Sequence, residues 1–184
     1  MLRLAIARLA PASRLTAHSQ VRNSLPRTFT TTMAQYHPNT DPPKGFAIFK
    51  NIEELASGSD KFRRVLWTGT HSQFVIMTVP VGGEIGEEIH TVDQHLVFLS
   101  GKAQAIEDGT KATGDQVSDV HPGDMVIVPA GTKHNFKNVG PTPLIVSTVY
   151  APAEHKADTV HDTLEQGEKL EEEGKDEPPS WAKQ

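Results

Sequence analysis

The sequence predicts an all-β domain, a single barrel or sandwich of short antiparallel strands. Two observations carry that expectation. Runs of branched and aromatic residues recur through the middle of the chain: Phe46–Phe49, Phe74–Val79, Gln94–Leu99, Met125–Val128 and Leu144–Tyr150. What separates them is turn chemistry, including Pro80-Val81-Gly82-Gly83, Ser100-Gly101, Glu107-Asp108-Gly109, His121-Pro122-Gly123-Asp124, Pro129-Ala130-Gly131 and Gly140-Pro141. Short strands bounded by glycine and proline, with no long helical pattern between them, pack as sheet on sheet or as a closed barrel.

Residues 1–32 differ from the rest. They hold Arg3, Arg8, Arg14, Arg22 and Arg27, no lysine, and the first acidic residue of the chain is Asp41. Leu2, Leu4, Ile6 and Leu9 with Arg3 and Arg8 can form a short amphipathic helix, and Ser and Thr are frequent. This is the composition of a mitochondrial presequence, which places the mature protein in the matrix. Arg27-Thr28-Phe29-Thr30-Thr31 resembles a processing signal, and Met33 offers an internal start for a cytosolic form. Residues 33–45 read as a linker, 46–152 as the barrel and 153–184 as a polar tail. Asn51–Gly58 suggests a turn or two of helix near the start of the barrel.

Composition excludes several chemistries. The chain has no cysteine, so disulfides, thiolate nucleophiles, iron–sulfur clusters and thiolate zinc sites are out. Any metal must sit on imidazole, carboxylate or amide donors. No run of 18 apolar residues is present, so no membrane-spanning helix is expected. The chain carries 18 basic and 23 acidic residues, net −5; without the five presequence arginines, 13 face 23, net −10. So acidic a domain is a poor binder of nucleic acid or anionic membranes. Glu165 to Glu177 concentrates the acidity and reads as a solvated helix or disordered tail without chemistry of its own. Phe74-Val75-Ile76-Met77 is apolar on both faces. One face fills the barrel, and the other needs an N-terminal strand, a second sheet or a second subunit, so a homodimer is expected.

Two spacings are more particular. Gly123-x5-Pro129-x-Gly131-x2-His134-x3-Asn138 is preceded, 21 residues upstream, by Gly82-x5-Glu88-x-His90-x3-Gln94-x6-Gly101. These resemble the two sequence blocks of the cupin superfamily. The second block matches at all five fixed positions. In the first, Gly82, His90 and Gly101 match, while Glu88 stands where the family has a His and Gln94 where it has a Glu. The resemblance covers about Phe46 to Tyr150 and implies a single cupin barrel, a double-stranded β-helix or jelly roll. It also implies one divalent metal ion inside, with Glu88, His90, Gln94 and His134 as its donors.

The residues support that set on their own terms. Glu88 and His90, two apart on a strand, share a face, and a carboxylate entering an apolar cavity needs a partner such as a metal ion. His134 follows the Pro129-Ala130-Gly131 turn, and Gln94 offers an amide oxygen. The charge of the family's three-His-one-Glu set is preserved, because the carboxylate has moved from one position to another. Two imidazoles, a carboxylate and an amide suit iron, manganese, nickel or zinc. Of the other histidines, His95 should point away from Gln94, His121 lies in a turn, and His71 precedes a strand. His155 and His161 follow the last strand and read as surface tail, although similar small bacterial cupins carry a comparable His-rich segment there. Trp67 reads as packing. Because cupins host many activities, two functions stay open. One is a metal-dependent enzyme on a small polar metabolite, dioxygenase-like or sugar-isomerase-like. The other is a non-catalytic barrel that binds or senses a small molecule.

Overall fold

The computed structural model of the chain describes residues 37–109 and 113–182; residues 1–32, read above as a presequence, lie outside these. The described elements run α1 (Ile52–Ser57), β1 (Arg63–Thr68), β2 (Gln73–Val79), β3 (Asp93–Ser100), β4 (Ala103–Glu107), β5 (Gln116–Val120), β6 (Met125–Val128), β7 (His134–Asn138), β8 (Leu144–Ala151), β9 (Val160–His161) and α2 (Leu164–Glu172). The strands form two sheets, ordered β6-β3-β8-β2-β1-β9 and β5-β4-β7, with every pairing antiparallel. This is the expected all-β jelly-roll architecture, with a helix in the acidic C-terminal tail.

The smaller sheet is extended by a stretch outside its named strands. Residues 83–88 run antiparallel beside β7: the Ile85 N–H donates to the Phe136 carbonyl (2.9 Å) and the Asn138 N–H to the Gly83 carbonyl (2.8 Å). Between the two sheets lies the inner core, including Val65, Val75, Met77, Leu96, Phe98, Phe136, Val146 and Tyr150. Burying side chains of this size stabilises a domain by about 1.5–3 kcal/mol each.

The outer face of the larger sheet has its own cover. Leu66, Ile76 and Ile145 pack with Ala56, Ile52 and Leu55 of α1, and with Phe49 and Phe74. The outer side of these two-faced apolar strands is covered by α1 of the same chain. The expected strand at Phe46–Phe49 does not form. Phe46 is 90% exposed and Ile48 is also exposed; only Phe49 turns inward to the α1 cluster. An apolar run becomes a strand only where a neighbouring strand offers backbone partners, and among the described residues no named strand pairs with this one.

Two residues of the family blocks hold the sheets' corners. Gly101, between β3 and β4, adopts φ +88°, and a β-carbon there would come within 2.8 Å of the Leu144 backbone. Asn138 is buried at the end of β7. Its amide Nδ2 reaches the carbonyls of Val79 (3.1 Å), Pro80 (3.0 Å) and Thr142 (2.9 Å), and its Oδ1 accepts from the Gly140 N–H (3.0 Å). Asn138→Ala leaves those buried groups unpaired and should lower unfolding stability by about 2–4 kcal/mol. Urea denaturation should show a lower midpoint at an unchanged slope.

Candidate metal centre

Backbone pairing brings the predicted residues together. Glu88 and His134 exchange both backbone hydrogen bonds across the pair (2.9 and 3.0 Å), so their side chains leave the sheet on one side. His90 lies two residues on. Its carbonyl accepts from the Gly131 N–H (2.8 Å), which docks the Pro129-Ala130-Gly131 turn against it. That turn is also tied to β3, where the Asp93 carboxylate accepts from the Ala130 N–H (2.9 Å). Gln94, on the inward face of β3, stands opposite Tyr150 of β8 and Val128 of β6 and is fully buried. As expected, its neighbour His95 faces the other way and is half-buried, while His71 and His121 are exposed.

All four expected donors converge. Glu88 Oε2 lies 3.0 Å from His90 Nε2, and Gln94 Oε1 lies 2.9 Å from His134 Nε2. The His90 and His134 rings are 5.6 Å apart between centroids. One donor atom from each of Glu88, His90 and His134 falls within 4.8 Å of the others, a separation that could hold one metal ion. Each imidazole is gripped from outside by an acceptor: His134 Nδ1 by the Thr132 carbonyl (2.8 Å) and His90 Nδ1 by the Glu154 carboxylate (3.1 Å). Metal-ligating histidines are oriented in this way, with the outer N–H engaged and the inner nitrogen turned to the ion. The Gln94 amide nitrogen donates to the Tyr150 hydroxyl (3.0 Å), which turns its oxygen toward His134.

Three partners of this site were not read from the sequence. Arg63, 1% exposed on β1, places Nη2 2.6 Å from Glu88 Oε1 and Nη1 2.5 Å from Glu171 Oε1. Alternation along Arg63-Arg64-Val65 puts Arg63 in phase with the core residue Val65, and that phase was the available signal. Glu154 and Tyr150 lie far from the blocks in sequence; the Tyr150 ring stands edge-on to both His90 (5.3 Å) and His155 (5.0 Å).

The electrostatics follow from this packing. Burial pushes the Glu88 carboxyl up, but Arg63 and His90 overcome it and hold it at about 2. Burial pulls His90 down, yet its hydrogen bonds to Glu154 and Glu88 raise it to about 9. Burial, helped by the charge on His90, carries His134 below its ordinary value and keeps it neutral. Burial likewise pushes the Tyr150 phenol up, so it remains a neutral hydroxyl.

A cavity of about 220 Å³ opens beside His134. Val120, Val126, Val128 and Phe136 line it with Ser118 and Thr132, so its walls are chiefly apolar.

The tail departs from expectation. His155 and His161 are each 1% exposed, and Asp176 beyond α2 is buried with them. They are interior groups rather than surface tail. Thr163 starts α2 by accepting from the Gln166 N–H (3.3 Å), and the helix carries Glu171 back to Arg63.

Comparison with known proteins agrees with this architecture. The family described as Cupin domain matches residues 75–150. The chain is 38% identical over 122 residues to the uncharacterised protein YrkC of Bacillus subtilis, covering 66% of this chain and 64% of that one. It is 33% identical over 107 residues to an uncharacterised protein of Acanthamoeba polyphaga mimivirus, covering 57% of this chain and 65% of that one. The chain thus spans slightly less than two thirds of the length of these two relatives. A crystal structure of a Bacillus halodurans protein superposes with a TM-score of 0.64 at 33% identity, covering 70% of this chain and 98% of that one. With both blocks in place on a two-sheet jelly roll, the chain belongs to the cupin superfamily.

Proposed function

We propose that this cupin is a metal-dependent enzyme acting on a small metabolite, with one divalent ion held by Glu88, His90, Gln94 and His134. A single observation carries the reading. Both histidines have their outer nitrogens engaged by acceptors while their inner nitrogens face further oxygens, Glu88 Oε2 and Gln94 Oε1. For neutral His134, with one N–H to share between the Thr132 carbonyl and the Gln94 amide oxygen, a lone pair is left facing an oxygen. A cation between them satisfies both, and the residues therefore fit the group.

An iron, manganese, nickel or zinc ion bound there supplies Lewis acidity, and iron adds redox chemistry. The chain's own residues do the rest. Arg63 fixes one oxygen of Glu88, leaving the other as a single donor. Thr132 and Glu154 set the imidazole planes. The chiefly apolar walls beside His134 would seat a compact ligand. The cavity is smaller than the ~300–1,000 Å³ of drug-sized sites, which favours a small substrate.

A second reading has its own observation. Arg63 and His90 already neutralise Glu88, so the barrel is electrostatically satisfied as an ion-pair network. Such a barrel serves equally as a non-catalytic binder or sensor of a small molecule. Elemental analysis of protein purified without chelators or a His-tag separates the two. An ion held by wild type and lost in His134→Ala supports the enzyme, and equal metal content in the two after reloading supports the binder.

His90→Ala and His134→Ala should each abolish occupancy of this centre in a folded barrel, while Gln94→Ala weakens it by a smaller factor. Unchanged occupancy in both histidine variants, measured by elemental analysis alongside circular dichroism, would sink the assignment. Metal binding must also expel the His90 proton. Affinity for the ion should therefore rise about tenfold per pH unit and level off above about 9. Calorimetry at pH 7 in buffers of different ionisation enthalpy should report about one proton released per ion.

A further inference from the structure

Outside the barrel mouth, the segment that follows β8 builds another nitrogen and oxygen cluster. His155 Nδ1 lies 2.8 Å from Asp176 Oδ2 and 3.7 Å from Glu171 Oε1, and His161 Nε2 lies 3.4 Å from the same Asp176 oxygen. Donor atoms of His155, Glu171 and Asp176 fall within 4.8 Å of one another. For comparison, donors about 2.0–2.2 Å from a tetrahedral ion sit roughly 3.3–3.6 Å apart.

Burial makes this more than a surface cluster. His161 is 1% exposed, yet among the described residues neither of its ring nitrogens has a hydrogen bond, and Nε2 is the one that lies toward Asp176. Unpaired buried nitrogens of this kind are costly and call for a partner. The geometry says which nitrogen of His161 faces it. A β-carbon on Gly167 would come within 2.8 Å of Nδ1, so the α2 backbone closes that side and Nε2 is left facing Asp176. Gly167, inside a helix where glycine is unfavourable, is what lets the ring sit there. Asp176 is itself aimed. Its Oδ1 accepts from the Thr159 hydroxyl and the Lys156 N–H (3.2 Å), which turns Oδ2 to the two histidines.

A surface recess of about 270 Å³ leads to the cluster and is lined by Glu154, His155, Glu171, Asp176 and Glu177. Four carboxylates at its walls attract cations and repel anions. Arg63 partners Glu171 and Glu88, but Asp176 has only the two imidazoles and the Thr159 and Lys156 donors.

We propose that His155, His161 and Asp176, with Glu171 as fourth donor, bind a second divalent cation of the zinc type and thereby fasten the C-terminal segment to the barrel. His155, Glu171 and Asp176 lie within mutual reach and His161 approaches from the Asp176 side; four such protein donors would close the coordination sphere, the arrangement of a structural rather than a catalytic ion.

This site is independent of the centre inside the barrel, and the test keeps them apart. Full-length wild type, His134→Ala, His161→Gln and the double variant are stripped of metal, checked for folding by circular dichroism and titrated with zinc. Bound zinc and thermal midpoint are then measured. About two ions per wild-type chain are expected, about one for His134→Ala with a zinc-dependent rise in midpoint, and none with no rise for the double variant. Asp176→Asn in the His134→Ala background should lower zinc affinity at least tenfold and guards against misfolding of any one variant. A folded His134→Ala chain that binds no zinc, or a His161→Gln chain that binds as much as wild type, would overturn the proposal. If His134→Ala binds as much as wild type while His161→Gln binds one ion fewer, the barrel assignment fails and this one stands.

Discussion

The buried guanidinium of Arg63 is the interaction on which the rest of the structure depends. It sits inside the larger sheet with its two ends committed, one to Glu88 at the barrel mouth and the other to Glu171 on the C-terminal helix. Removing water from three charges is costly, and breaking one arm of such a pair typically costs about 3–5 kcal/mol because a charge is left alone. The strength of the individual bonds is less important than the commitment they force. Glu88 is held as a carboxylate, which keeps His90 charged, and the helix is held against the strand that carries His161. Burial, ordinarily hostile to such groups, here makes each charge require the next.

That chain of dependence explains how the two polar clusters share one domain. Tyr150 stands between them, edge-on to His90 on one side and to His155 on the other, with its hydroxyl spent on Gln94. Gln73 does the corresponding work for the backbone. Its amide donates to the His155 carbonyl (2.7 Å) and accepts from the His155 N–H (2.9 Å), so the segment leaving β8 is fixed before it reaches Asp176. The C-terminal segment is thus part of the barrel's wall, and the polar groups it brings are shared with the groups the barrel already holds.

Much of the fold was legible because β2, β3, β6 and β8 are apolar runs bounded by turn residues. β5 was not, since Gln116-Val117-Ser118-Asp119-Val120 is polar and mostly exposed, and β7 carries His134, Asn135, Lys137 and Asn138 in a strand that is largely buried. Those side chains are tolerated because partners distant in sequence meet them. The four side chains that meet at the barrel mouth were legible as a set because two local blocks fix their spacing. Arg63 was missed because its partners lie 25 and 108 residues away. His155, His161 and Asp176 were misread for a related reason. Histidines and carboxylates in an acidic tail look solvated by composition, and only the folding of α2 over β9 and β1 buries them.

The pairing of Glu88 with His134 has a consequence for how this barrel tolerates change. Side chains alternate faces along an extended chain, so slipping residues 83–88 by one position against β7 would turn Glu88 and His90 outward together. The inner core would lose Ile85, which that stretch buries, and keep what the larger sheet supplies. Length variation in the connections flanking that stretch therefore separates folding from chemistry. Insertions at the β4–β5 connection leave the four side chains in phase, whereas a residue gained or lost between Ile89 and Val92 would leave Glu88 opposite His134 and displace the chain that carries His90 toward Gln94.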